Sequence, residues 1–146
     1  MIFLFTRIIM TFKILSLFPK MFESVFSESI LNRAQSNKLV KIEYYDIRKW
    51  ANGKHRQVDD SPYGGGAGMI LKADIIDKAL FDLKLISPKF NNETTAKIQK
   101  QKPHIVLLTP QGKTFNQQSA ESLSRYKELI LVCGHYEGFD ERIRQL

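Results

Sequence analysis

Three runs of the chain gather residues able to do chemistry. The longest, His55-Arg56-Gln57-Val58-Asp59-Asp60-Ser61-Pro62-Tyr63-Gly64-Gly65-Gly66-Ala67-Gly68-Met69, sets cations, two adjacent carboxylates and one aromatic ring beside nearly bare backbone. That mixture suits a polyanion carrying a base, because cations meet phosphate, a flat ring stacks, and main-chain groups read an edge. The second run is Leu107-Leu108-Thr109-Pro110-Gln111-Gly112 and the third Gly134-His135-Tyr136-Glu137-Gly138, each placed directly after an apolar segment. Glycine after a buried strand lets a ligand approach the main chain, while Tyr136 offers a flat wall and Glu137 a charge. The competing reading is plainer: two ordinary strand-to-helix turns and one solvated loop.

The elements that must position these runs follow from periodicity. Phe12 to Leu17 is an apolar run closed by Phe18-Pro19, which predicts a first strand. Phe22, Val25, Phe26 and Ile30 recur at helical spacing, with Ser27 and Asn32 as weak points, so one amphipathic helix or two short ones run to about Asn37. Val40 to Asp46 is rich in β-formers and predicts a second strand. Five glycines and one proline between Asn52 and Gly68, with no apolar period, predict a long loop.

A helical stripe returns from about Lys72 to Leu85, and the polar stretch Ser87 to Lys102 reads as a surface connection. His104 to Leu108 predicts a third strand. Thr114 followed by Gln117 fits a capping box, which would start a helix running to about Tyr126. Leu129 to Cys133 is uniformly apolar and predicts a fourth strand covered on both faces, and Asp140 is an N-cap candidate for a last short element. Strands alternating with helices predict an α/β domain with a parallel sheet, whose ligands bind beyond the carboxyl ends of the strands.

Composition narrows the classes. With 146 residues the chain has the size of one domain, and 43% apolar content excludes disorder. Met1 to Phe18 is apolar but interrupted by Arg7 and Lys13 and too short to span a bilayer, so no membrane segment is expected. A single cysteine, Cys133, excludes a disulfide framework and fits a cytoplasmic setting. The net charge of +7 is local: Lys38 to Gln57 holds six Lys/Arg against two acids, whereas residues 104–146 balance at five against five. Such a field attracts nucleic acid.

Several sites fail on spacing. A phosphate-cradling loop ending in Gly112-Lys113-Thr114 needs glycine where Leu107 stands. Gly64 to Met69 lacks the upstream strand and the final small residue of a dinucleotide fingerprint. Cys133 and His135 without a second pair make no metal site, and none is expected.

Taken together, Leu15-Ser-Leu-Phe-Pro19, Met21-Phe22, Ser29-Ile30-Leu31, Asp46-Ile47-Arg48, the His55 to Met69 loop, Thr109-Pro-Gln-Gly112 and Cys133-Gly-His-Tyr-Glu-Gly-Phe-Asp-Glu-Arg142 resemble the bacterial tRNA (guanine-N1)-methyltransferases, in order, from about Met10 to Leu146. The resemblance implies a parallel-sheet α/β trefoil-knot fold of the SPOUT class, working as a homodimer. It implies transfer of a methyl group from S-adenosylmethionine to N1 of the guanosine at tRNA position 37. By motif match, Leu107, Leu108 and Thr109 would line the cofactor pocket and Gly134, Tyr136, Glu137 and Gly138 its second wall. Asp59, Tyr63, Gly64, Gly65, Gly66 and Gly68 would face the guanine and the partner subunit.

The resemblance also carries expectations about extent. Met1 to Ile9 reads as an extension outside the family pattern. The general base, the segment that completes the knot, and the tRNA-gripping C-terminal domain are expected beyond Leu146, so the sequence reads as an amino-terminal fragment, inactive by itself. The alternative from another class is a basic α/β module that binds RNA or a partner without chemistry.

Overall fold

The computed structural model describes residues 10–83 and 103–145. The expected extension at Met1 to Ile9 and the expected surface connection at Ser87 to Lys102 lie outside these residues. Four strands form a parallel sheet: β1 (Met10–Ser16), β2 (Val40–Asp46), β5 (His104–Leu108) and β6 (Glu128–Cys133), in the order β2-β1-β6-β5. Three were legible as apolar runs and β2 by its content of β-formers, with β1 beginning at Met10 and β6 at Glu128, slightly ahead of the expected Phe12 and Leu129.

The two interior strands carry the fully buried residues of the sheet. Ile14 and Leu15 of β1 and Ile130 and Val132 of β6 are almost wholly removed from solvent, as expected for a parallel sheet covered on both faces. The β2 edge carries charge: Lys41 Nζ lies 2.5 Å from Glu43 Oε1, and the Tyr45 hydroxyl donates to Glu43 Oε2 at 2.8 Å. Burial, reinforced by that carboxylate, pushes the Tyr45 hydroxyl up to about 12, so it stays a neutral donor. Charged side chains of this kind keep an edge strand from pairing with another chain.

Parallel neighbours require crossovers. Between β1 and β2 run two helices, α1 (Lys20–Phe26) and α2 (Ser29–Ser36), divided where Ser27 caps the first and Ser29 takes φ +51°. Neither buries a residue fully, and Met21, Val25 and Ile30 stay well exposed. Helix α3 (Ala73–Asp82) is different: Ile75, Ile76, Ala79 and Leu80 are buried on one stripe, against Ile47 of the 3-10 turn Ile47–Trp50 and the interior strands.

Three local expectations are corrected. Helix α4 (Gln117–Leu123) does not start at Thr114: Asn116 is its N-cap, its Oδ1 accepting from the Ser119 amide at 2.9 Å and the Ser119 hydroxyl at 3.0 Å. An asparagine cap satisfies the free amides of the first turn at least as well as threonine, which shortens the helix at its front. The stretch 52–68 is not all loop either. Asp59–Asp60 (β3) pairs antiparallel with Ile70–Leu71 (β4), and Val58 is buried beside it. The last element is a 3-10 turn, Glu141–Gln145, rather than an α-helix, and it inserts Ile143 into the core.

Replacing Ile130 by alanine should lower stability by about 2–5 kcal/mol, the scale for deleting a buried branched side chain. Ile105→Ala on the half-exposed β5 edge should cost less. Urea unfolding followed by far-ultraviolet circular dichroism reads both, and equal losses would place the core elsewhere.

Candidate functional site

In the parallel register of β5 and β6, Leu108 stands opposite Cys133. Both strands therefore end at the same level, and the reversals at Thr109 and Gly134 begin side by side. A cleft of about 500 Å³ opens there, lined by Leu108, Thr109, Gly134, Tyr136, Glu137 and Gly138. Six of the seven residues expected around one pocket are thus brought together. Leu107 is not among them: it faces a separate apolar hollow of about 330 Å³ with Leu80, Val132 and Ile143. Alternation along a strand explains this, since neighbours point to opposite faces.

The closeness of the two reversals fixes residue types. A Cβ at Gly134 would sit 3.0 Å from Phe139 Cε2 and 3.1 Å from the Leu108 carbonyl, so that a methyl group there requires those neighbours to give by a few tenths of an ångström. Tyr136 adopts φ +60°, a left-handed conformation unusual for a bulky side chain, at a cost of order 1–3 kcal/mol. It is held by main-chain bonds on both sides: the Gly138 amide donates to the His135 carbonyl at 3.2 Å, and the Glu137 amide to Met69 at 3.0 Å.

That second bond belongs to a series. The Leu71 amide donates to the Gly138 carbonyl and the Asp140 amide to the Leu71 carbonyl, each at 2.9 Å, and Leu71 bridges in parallel to Phe139. The glycine-rich loop is thereby sewn to the turn after β6. Gly68, at φ +88°, lies so near that a Cβ there would be 2.4 Å from Glu137 Cγ. Asp59 sits at the root of the loop, opposite Leu71. Gly64, Gly65 and Gly66 have open space around them, and Tyr63 is fully exposed beside a different hollow, of about 660 Å³, with Phe139 and Arg142. Of the loop residues singled out, the structure brings Gly68 to the cleft and leaves Tyr63 and the three other glycines outside it.

A charged pair lies next to the turn after β6. Asp140 Oδ1 accepts from the Arg142 amide at 3.0 Å, and its carboxylate takes a forked hydrogen bond from the Arg142 guanidinium, which holds the carboxyl below its ordinary range. Burial pushes the Cys133 thiol up, so at the end of β6 it remains protonated near neutral pH and is no nucleophile. Among the described residues no group of three or more His, Cys, Asp or Glu side chains could hold a metal ion, and no helix is long and apolar enough to cross a membrane.

Residues 10–146 match the family described as tRNA (Guanine-1)-methyltransferase TrmD. The chain belongs to this family. The tRNA (guanine-N(1)-)-methyltransferase of Dehalococcoides mccartyi strain CBDB1 is 48% identical over 136 residues, which is 93% of this chain and 50% of that protein. Its counterpart in Desulfitobacterium hafniense strain Y51 is 50% identical over 137 residues, 94% of this chain and 47% of that protein. The crystal structure of the tRNA (m1G37) methyltransferase from Aquifex aeolicus superposes with a TM-score of 0.73 at 29% identity, covering 93% of this chain and 56% of that one. The chain spans about half the length of the curated relatives it matches. The α/β architecture with a parallel sheet is therefore that of the TrmD family.

Two contributors to this TrmD-family site had little signal in the sequence. Leu71 acts through its main chain, which no residue type announces, and Arg142 stood inside a quoted motif without a role. Asp140→Asn should keep the cap and lose the ion pair. Because the folded carboxyl is lowered, its stabilisation is present above the unfolded value of about 3.9 and is lost as pH falls through the folded value. The variant should accordingly be less stable than the parent at pH 7, with the gap closing below about pH 4. Thermal melts across that range check it.

Proposed function

We propose that this chain carries the cofactor-binding half of an enzyme that transfers a methyl group from S-adenosylmethionine to N1 of the guanosine at position 37 of tRNA. One observation supports this most: the exits of β5 and β6 share a cleft, and a glycine-rich loop is bonded to its rim, in a chain of the TrmD family. The local positive charge of Lys38 to Gln57 supports a polyanionic partner.

In this reading Leu108, Thr109 and the Gly134 backbone take the adenosyl portion on one side, while Tyr136, Glu137 and Gly138 form the opposing wall. Such a cleft fits a flat base and a hydrogen-bonding ribose, offering apolar surface, bare main chain and one carboxylate. When bound, S-adenosylmethionine supplies an electrophilic methyl carbon. The loop from Asp59 to Gly68 receives the guanine, and the contact of Gly68 with Glu137 sets how near the base comes to the wall. Holding the two reactants within about 3.5 Å and in line is the larger share of what these residues do.

Guanine N1 carries a proton and is a poor nucleophile until a base removes it. We assign that base, the closing segment of a trefoil knot and the main grip on tRNA to sequence following Leu146, and the working unit to a cytoplasmic homodimer. Leu107, which faces the interior hollow, keeps a packing role beneath the cofactor wall.

Residues 10–146 grafted in place of the matched half of the Dehalococcoides relative should methylate a tRNA transcript bearing G37 and not one bearing A37. Adding Gly134→Ala to the graft should weaken cofactor binding at least about tenfold, the cost of overpacking one methyl group. The 146-residue chain alone should bind labelled cofactor weakly or not at all and yield no product in single turnover. A graft that melts cooperatively yet forms no N1-methylguanosine overturns the proposal.

A further inference from the structure

One chain of contacts reaches the cleft from the far side of the sheet. The Arg48 amide donates to Asp46 Oδ1 at 2.9 Å, fixing the turn after β2, and the Arg48 guanidinium donates to the Leu17 carbonyl after β1. The same guanidinium lies 5.2 Å above the Phe18 ring. Phe18 in turn meets His135 edge to face, centroids 5.1 Å apart at 75°, and His135 meets Tyr136 at 4.7 Å and 64°. Three strand exits, those of β2, β1 and β6, are tied in this way by one cation and three rings.

This arrangement answers a need the cleft creates. Tyr136 is 43% exposed with φ +60°, so neither core packing nor an easy backbone fixes where its ring points. The main-chain bonds of Gly138 and Glu137 hold the turn, not the side chain. Edge contacts between rings do act on side chains, favouring one orientation by the quadrupole of each ring, and a guanidinium over Phe18 holds that ring in turn.

We infer that Phe18, held by Arg48, is a positioning residue for the cofactor wall: it sets the orientation of His135 and through it of Tyr136, touching neither methyl donor nor guanine. The inference rests on the proposed reading of the cleft as the cofactor pocket, and it adds a role for the Leu-Phe-Pro turn after β1 that strand termination alone does not require. Phe18 is 42% exposed, so its ring is dispensable to the core and available for this task.

The chain has three histidines, His55, His104 and His135, which makes the test direct. In the 146-residue chain, Phe18→Leu should move the His135 ring-proton resonance, which lies in the ring current of Phe18, and leave those of His55 and His104 in place. Phe18→Tyr should keep it. In the grafted enzyme described above, Phe18→Leu should raise KM for S-adenosylmethionine about 3- to 10-fold, the scale of one aromatic edge contact, with kcat at saturating cofactor and KM for tRNA unchanged. Phe18→Tyr should restore it. An unmoved His135 resonance overturns the geometry whatever the graft does. A moved resonance with unchanged cofactor KM, or an equal fall in kcat, overturns the positioning role. Absence of activity in the unmutated graft counts against the function proposed above, and the resonance then decides the contact separately.

Discussion

The common ending of β5 and β6 is the constraint on which the rest depends. In a parallel pair the hydrogen-bond register sets which residues share a level, and a slip of one residue would turn every side chain to the opposite face. Leu108 opposite Cys133 is thus a statement about the cleft as much as about the sheet. It brings Gly134 up against the Leu108 carbonyl and the Phe139 ring, so that a larger residue at 134 fits only if those neighbours shift. Ile130 and Val132, both wholly buried, anchor β6 within the sheet in that register.

A second consequence is mechanical. The loop that carries most of the glycines is not free of the turn after β6: Met69 and Leu71 exchange main-chain bonds with Glu137, Gly138 and Asp140. A displacement of one segment must be followed by the other, so the wall after β6 and the root of the loop move together. Beyond that root the restraint ends. A side chain at Gly64, Gly65 or Gly66 would meet open space, the Gly65 amide donates locally to the Pro62 carbonyl, and Tyr63 is fully exposed. The loop is therefore firm where it meets the cleft and adaptable at its tip, which suits a surface that must take up a large polyanion of its own shape.

What the sequence made legible follows the same division. Strands β1, β5 and β6 were readable as apolar runs and β2 by its β-branched and aromatic residues, and α3 because a helix covering one face has a stripe. That the two strand exits share one cleft was readable in outline, because the carboxyl ends of neighbouring parallel strands lie together. The start of α4 was not, since Thr114 and Asn116 are both competent caps and only the tertiary path of the turn chooses between them. The side of the sheet to which Leu107 points was also hidden, as a run of consecutive apolar residues gives no sign of which face each takes. The bonds of Leu71 were invisible for a different reason: they use groups that every residue possesses.

The left-handed Tyr136 shows how these parts balance. A conformation costing of order 1–3 kcal/mol persists only where its surroundings over-determine it. Here the Gly138-to-His135 bond closes the turn, the Glu137-to-Met69 bond ties it to the loop, and Gly138 at φ +123° supplies the reversal that no other residue type takes readily. Each of these leans on the Met69–Leu71 segment, which is itself held by the β3–β4 pair and by Val58 in the core. The strain at the rim of the cleft is therefore supported by burial at the base of the loop, and a change at Val58 or Leu71, both buried, would be felt first as a loss of shape in the wall that Tyr136 forms.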